Sequence, residues 1–185
     1  MARLYLVRHG EPTGNWGSSP DPDPGLSPLG HQQAEIAADR LRLMTPKQII
    51  TSPLRRAAET AVPLVNHLAL APVVAAAVAE IPTPQNMAQQ HRGDWLRAIM
   101  SRNWNDVEPG LQRWRDTGIQ FLTTISTDTA IFSHYVSINV AVGAAIGDDR
   151  VHCFAPAHAS VTILETNGRT LSLIEIGATA QTAVR

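Results

Sequence analysis

Short apolar runs alternate with helix-period segments along most of this chain, and few folds accept that order. Residues 3–7 (RLYLV), 48–51 (QIIT) and 129–133 (TAIFS) are short and rich in branched or aromatic side chains, as buried strands are. "SPLG" opens a helix over roughly 28–44, with Ala34, Ala37, Ala38, Leu41 and Met44 on one face. "SP" at 52–53 then puts a serine in N-cap position and a proline at the first helical position. Leu54, Ala57, Ala58, Ala61, Val65 and Leu68 continue that helix. Residues 72–79 (PVVAAAVA) predict a third strand leading to Glu80, and 136–146 (VSINVAVGAAI), apolar all round, predict a buried helix. Residues 160–166 and 170–176 flank Asn-Gly-Arg, a hairpin signal. The expected fold is α/β: a three-layer α/β/α sandwich with a mostly parallel sheet and an antiparallel strand from the C-terminal hairpin.

Residues 81–127 break the alternation. They are polar, carry Trp95, Trp104 and Trp114, and predict a loop, one or two helices over about 86–103, and a longer helix over about 108–124. The 185 residues are read as one domain, 1–185, with 81–127 a helical, cap-like insertion. The tryptophans suit the hydrophobic underside of that cap better than a substrate wall. The last 9–14 residues are expected to be loosely held.

No run of about 18 apolar residues exists, so no membrane-spanning helix is expected. The N-terminus lacks a signal-peptide layout, and Cys153 is the single cysteine, so the expected location is cytoplasmic. A net charge of −1 gives no general pull toward nucleic acid or anionic lipid. Lys47 is the only lysine, so the basic groups are nearly all arginines, which suit oxyanions.

In such a sheet, ligands bind beyond the C-terminal ends of strands. Arg8-His9 follows the first strand, Arg55-Arg56 the second, Glu80 the third and His134 the fourth. Arginines without matching carboxylates make an anion site that fits phosphate. A neutral imidazole can take a phosphoryl group onto nitrogen, and a second histidine, if protonated, adds a donor to the transferring oxygens. A carboxyl with a raised pKa can protonate the leaving oxygen. No second carboxylate cluster suggests a Mg²⁺ site, so no metal or cofactor is expected, and the arginines take over that electrostatic work.

The pieces "LVRHGE", "LSPLGHQQA", "TSPLRRAAETA", Glu80 and "IFSHYVSI" span about residues 3 to 146. In that order they resemble the histidine phosphatase superfamily, the group that includes cofactor-dependent phosphoglycerate mutases. The resemblance implies that His9 is the phosphorylated nucleophile and that Arg8 and Arg56 clamp the phosphoryl group. It implies His134 as the second histidine, Glu80 as general acid and then base, and Asn15 as a further phosphate ligand. It implies a metal-independent phosphomonoesterase acting on a small phosphorylated metabolite. The alternatives are a phosphoglycerate-type mutase, a protein phosphohistidine phosphatase, or a binding protein with a decayed site.

Two features depart from the family pattern. Tyr135 stands where glycine often follows the second histidine, adding bulk at the pocket edge. The Gly-x-x-Glu-Gly pattern common after the acid is missing, which leaves Glu11 as a rival carboxylate with a more structural placement. Arg55 is expected to be an exposed helix residue, and Gly10 to let the backbone approach the phosphoryl group. His31, His67, His91, His152 and His158 carry no motif, although His158, before "ASVTIL", could line the site. Cys153 is expected to be packed rather than reactive, and Arg92, Arg97, Arg102, Arg113 and Arg115 to form a mostly solvated face from which one or two could reach a substrate carboxylate or second phosphate.

Overall fold

The first strand alternates its side chains strictly, and two apolar clusters result. A computed structural model of the chain describes residues 1–14 and 21–180. Strand β1 (Ala2–Arg8) sends Leu4 and Leu6 to one side and Tyr5 and Val7 to the other. Leu4 and Leu6 meet Ile50 and Ile131 beneath Leu122 of helix α4 (Pro109–Thr124) and Ile138 of helix α5 (Tyr135–Ile146). Tyr5 and Val7 meet Ala37, Ala38 and Leu41 of helix α1 (Pro28–Leu43), with Ala57, Ala61 and Leu64 of helix α2 (Arg55–Leu68). The sheet therefore carries helices on both faces, the three-layer arrangement expected.

Its six strands run in the order β3-β2-β4-β1-β5-β6. Strands β2 (Gln48–Thr51), β3 (Val73–Val74) and β4 (Thr129–Ser133) lie parallel with β1. Strand β5 (Val161–Thr166) is antiparallel to β1 and returns through a hairpin to β6 (Leu171–Glu175). In that hairpin Gly168 has φ +90°, and the Asn167 side-chain oxygen accepts from the N–H groups of Arg169 and Thr170 at 2.9 Å each.

Three boundaries differ from expectation. The third strand is only Val73–Val74, followed by a 3₁₀ turn over Ala76–Val78. It is an edge strand with β2 as its one partner, and the Ser133 hydroxyl takes the Val78 carbonyl at 2.7 Å, so the ladder stops early. Helix α2 starts at Arg55 with Leu54 as its cap, not at Ser52, and it buries Arg56, Thr60, Pro63 and Leu64. At the C-terminal end, Ala180 N–H donates to Ala155 and Ala157 N–H to Ala178, so the described residues there are tied down.

Between β3 and β4 the chain adds helix α3 (Arg92–Met100) and α4. Ile81, Leu96, Ile99 and Trp104 pack with Tyr135, Val136 and Val140 of α5 in a third apolar cluster. Trp104 is buried, and its ring lies 6.1 Å from that of Trp114. These two tryptophans pack within this cluster.

Two glycines set how close α1 comes to the end of β1. A Cβ on Gly10 would stand 2.6 Å from the Gly30 carbonyl oxygen, and one on Gly30 would run into the Glu11 carbonyl. Gly10 is thus needed by the close approach of the helix behind it. Overpacked contacts cost about 1–3 kcal/mol, so Gly30→Ala should lower the unfolding free energy by about that amount in urea denaturation.

Candidate active site

His9, Ser52 and His134 stand just past the C-terminal ends of three adjacent strands. The ladder carries them there: His9 N–H donates to Ser133 O at 3.0 Å, and Ser52 N–H to Phe132 O at 2.9 Å. Glu80 follows the 3₁₀ turn beside β2. Because β5 runs the other way, the loop before it returns to the same rim, where Arg8 N–H donates to Ser160 O at 3.2 Å.

His9 is fully buried. Its Nδ1 bonds the Gly10 carbonyl at 2.8 Å, and a carbonyl only accepts, so Nδ1 carries the proton. Nε2 is left with a free lone pair and no hydrogen-bond partner among the described residues. Burial first, then His134, Arg56 and Arg8, hold its pKa well below the usual histidine range, so the ring is neutral. Gly10 N–H is fixed by Thr60 Oγ1 at 2.9 Å, and Thr60 bonds the Arg56 carbonyl at 2.6 Å. One threonine thus joins the histidine turn to the start of α2.

The His134 ring centroid is 5.2 Å from that of His9. His134 is also fully buried and kept neutral, mainly by burial. Its Nε2 bonds Ser52 Oγ at 2.7 Å, while Ser52 Oγ accepts from Leu54 N–H at 3.2 Å. The Ser52 hydroxyl has no other acceptor among the described residues, so we assign its proton to the bond with His134 Nε2, which then accepts. The His134 proton then sits on Nδ1, which is buried and has no partner among the described residues. A neutral His134 can therefore donate to an oxyanion without first being protonated. Ser52, expected as a helix cap, is a support for this ring.

Both arginines are nearly buried. Arg8 uses Nη1 on Pro156 O at 2.7 Å, and Arg56 holds Nη1 3.6 Å from Asp23. In each, Nε has no partner among the described residues, so each turns an uncommitted Nε edge inward. Burial is the main cause of the lowered pKa of both, Arg8 falling to about 10. Both stay charged at neutral pH. Arg55 is exposed and paired with Glu59 at 2.6 Å, as expected.

Glu80 is 5% exposed. Oε1 accepts from Ile81 N–H at 2.9 Å and from Val136 N–H, in the first turn of α5, at 3.2 Å. Those bonds and the charges of Arg92, Arg56 and Arg8 favour the carboxylate, but desolvation outweighs them and the pKa is raised. Glu11, the other carboxylate near the turn, is engaged in structure: its Oε1 accepts from Ser27 Oγ at 2.7 Å, and Ser27 in turn caps α1 through Gly30 N–H. Asn15 lies outside the described residues.

Three more side chains join the site. Tyr135 lies beneath Arg8, whose guanidinium carbon is 5.0 Å from the ring centroid, and its hydroxyl meets His152 Nε2 at 2.9 Å. It is a buried floor rather than an edge. Arg92 donates from Nε to Thr83 Oγ1 at 2.7 Å and adds positive potential at Glu80, Arg56 and His134. It leaves the solvated face assigned to it, whereas Arg97 and Arg102 remain exposed. His158 stands 5.7 Å from the His9 ring and 2.9 Å from Arg8 Nη2. Its only sequence signal was its place before the strand that returns to this rim.

Two buried neutral imidazoles, two buried guanidiniums and one raised carboxyl have the chemistry that phosphoryl oxygens call for. Residues 4–179 match the histidine phosphatase superfamily, branch 1. The chain belongs to the histidine phosphatase superfamily. Over 119 residues it is 34% identical to the glucosyl-3-phosphoglycerate phosphatase of Mycolicibacterium vanbaalenii, covering 63% of this chain and 48% of that protein. The Mycobacterium tuberculosis protein of the same name is 34% identical over 116 residues, covering 62% and 48%. The chain spans about half the length of these curated relatives. Among solved histidine phosphatase structures, the mycobacterial glucosyl-3-phosphoglycerate phosphatase superposes with TM-score 0.74 at 21% identity, covering 97% of this chain and 100% of that one. The phosphoserine phosphatase of Entamoeba histolytica gives TM-score 0.72 at 20% identity, covering 97% and 98%. At such identity, the superpositions speak to the fold alone.

Proposed function

We propose that this protein is a phosphomonoesterase that works through a phosphohistidine on His9. The observation that carries the reading is the His9 ring itself: buried, neutral, with Nδ1 spent on Gly10 and the Nε2 lone pair free. Nε2 attacks phosphorus in line, the N–P bond forms and the ester P–O bond breaks. Protonated Glu80 gives its proton to the leaving oxygen. Arg8, Arg56 and the neutral His134 donate to the equatorial oxygens as charge spreads over them. Water then attacks phosphorus, Glu80 takes a water proton, and the N–P bond breaks to return His9 and release phosphate.

The substrate class is a small phosphorylated metabolite, and the names of the curated relatives make glucosyl-3-phosphoglycerate the first compound to try. Residues 81–127 act as a cap: their apolar underside seats on α5 and they bring Arg92 toward the leaving-group side. The proposed location is the cytoplasm. Among the described residues no helix is long and apolar enough to cross a membrane. Burial pushes the Cys153 thiol up to about 11, consistent with a packed, unreactive cysteine.

The test is phosphate release from glucosyl-3-phosphoglycerate, 3-phosphoglycerate and phosphoserine, with and without EDTA. Turnover of at least one ester, unchanged by the chelator, is expected. Loss of turnover in EDTA, restored by a divalent metal, would remove the two-arginine account of charge stabilisation.

A further inference from the structure

The loop that enters β5 holds Arg8 at both terminal nitrogens. Pro156 O accepts from Nη1 at 2.7 Å, and two residues later His158 Nε2 meets Nη2 at 2.9 Å. Arginine has no acceptor, so Nη2 donates and His158 Nε2 accepts, with the His158 proton on Nδ1. Burial and then Arg8 push the His158 pKa down to about 4, so the ring is a neutral acceptor at ordinary pH. With both ends of the guanidinium occupied, Nε is the part of Arg8 left without a partner among the described residues. The Tyr135 ring below the guanidinium closes its remaining face.

The backbone shows how firmly this loop is set. Ala159, next to His158, has φ +54°, a left-handed conformation that disfavours a side chain. It is held there because Ala159 N–H donates to Arg8 O at 2.9 Å, with His9 O at 3.3 Å. Behind the loop, Pro156 bridges Thr179, and Ala157 N–H donates to Ala178 O at 2.8 Å. Strain of this kind persists only where the surroundings impose it, and here they aim one imidazole at one guanidinium.

We propose that His158 is a positioning residue: by accepting from Arg8 Nη2 it fixes the guanidinium with its Nε edge toward the phosphoryl site. This rests on the reading of Arg8 as a phosphoryl ligand. His158 needs no contact with substrate. It acts by removing the rotations of Arg8 that would otherwise be frozen only when the phosphoryl group binds.

The test compares His158→Met with His158→Gln, which are similar in length and differ in whether an acceptor is present. Each is made in the wild-type protein and with Arg8→Ala, and kcat/KM is measured beside the thermal unfolding midpoint. Arg8→Ala should lower kcat/KM at least about a hundredfold, as expected for a charge-bearing donor to the transition state. His158→Met should lower it about tenfold, the worth of a hydrogen bond to a charged group, while His158→Gln stays within about threefold of wild type. In the Arg8→Ala background the two His158 variants should agree within about twofold, because their effect runs through Arg8. Equal losses for Met and Gln, or a Met loss that survives Arg8→Ala, overturn the positioning role while leaving Arg8 as a ligand. A wild-type kcat/KM in Arg8→Ala instead sinks the phosphoryl-ligand reading, and the proposal goes with it.

Discussion

His9→Ala should stop turnover: kcat is expected to fall at least about 10⁴-fold, because the nucleophile itself is gone. The fold should tolerate the change better than most core truncations. His9 makes one side-chain hydrogen bond, to the neighbouring Gly10 carbonyl, and the turn is independently held by Gly10 N–H to Thr60 and His9 N–H to Ser133. Substrate binding should survive in part, since Arg8, Arg56 and His134 remain. The stricter readout is the intermediate. Wild-type protein quenched during turnover of a radiolabelled ester should carry acid-labile, base-stable phosphorus, the signature of phosphate on nitrogen, and His9→Ala should carry none. Label retained in the variant would move the nucleophile to another side chain.

Glu80→Gln should separate substrates by their leaving group. With an alkyl ester the departing alkoxide needs a proton, and loss of the general acid should cost about 10²–10⁴-fold in kcat. With p-nitrophenyl phosphate the phenolate leaves unaided, so the pre-steady-state burst of nitrophenol, which reports transfer to His9 before Glu80 is needed as a base, should keep a rate within about tenfold of wild type in the same variant. The pH dependence follows from the raised pKa of Glu80, caused mainly by its burial. The acid must be protonated to donate, so wild-type kcat on the alkyl ester should fall as pH rises through that pKa. The Gln variant should show no such limb. Equal losses on both esters in that transfer step would leave Glu80 no acid role there, only that of a cap for α5, which its bond to Val136 N–H would already justify.

The parts of the fold that were legible in the sequence are those whose burial pattern is local. β2 and β4 match their apolar runs residue for residue, and β1 extends its run by one residue at each end. The third strand was overcalled because its alanine-rich run satisfies apolarity, whereas strand length at a sheet edge depends on a partner that only the fold supplies. Arg8, His9, Arg56, Glu80 and His134 were all placed at strand or turn ends, where a parallel sheet gathers them. Ser52 was misassigned because a serine before a proline is a good cap, and nothing in its neighbours shows that its hydroxyl meets a histidine 82 residues on. Arg92 and His158 carry only weak sequence signals for the same reason: each reaches the site from a segment whose path depends on packing. The demand that α1 places on Gly10 is likewise invisible in the sequence, because Gly30 meets it only in the fold.

The reversed direction of β5 has a consequence for how such a site can diversify. The loops leaving β1, β2 and β4 each hand over to a helix, so each is tied to that helix at its far end. The stretch before β5 arrives at the same rim from the far end of α5 and owes nothing to a crossover. Within it, the side chain at 158 can be changed while the backbone bonds that tie Ala159 and Ser160 to Arg8 and His9 stay in place. Tuning of the grip on Arg8 through that one side chain is thus separate from the nucleophile's own ring, whose side-chain bond is to the Gly10 carbonyl.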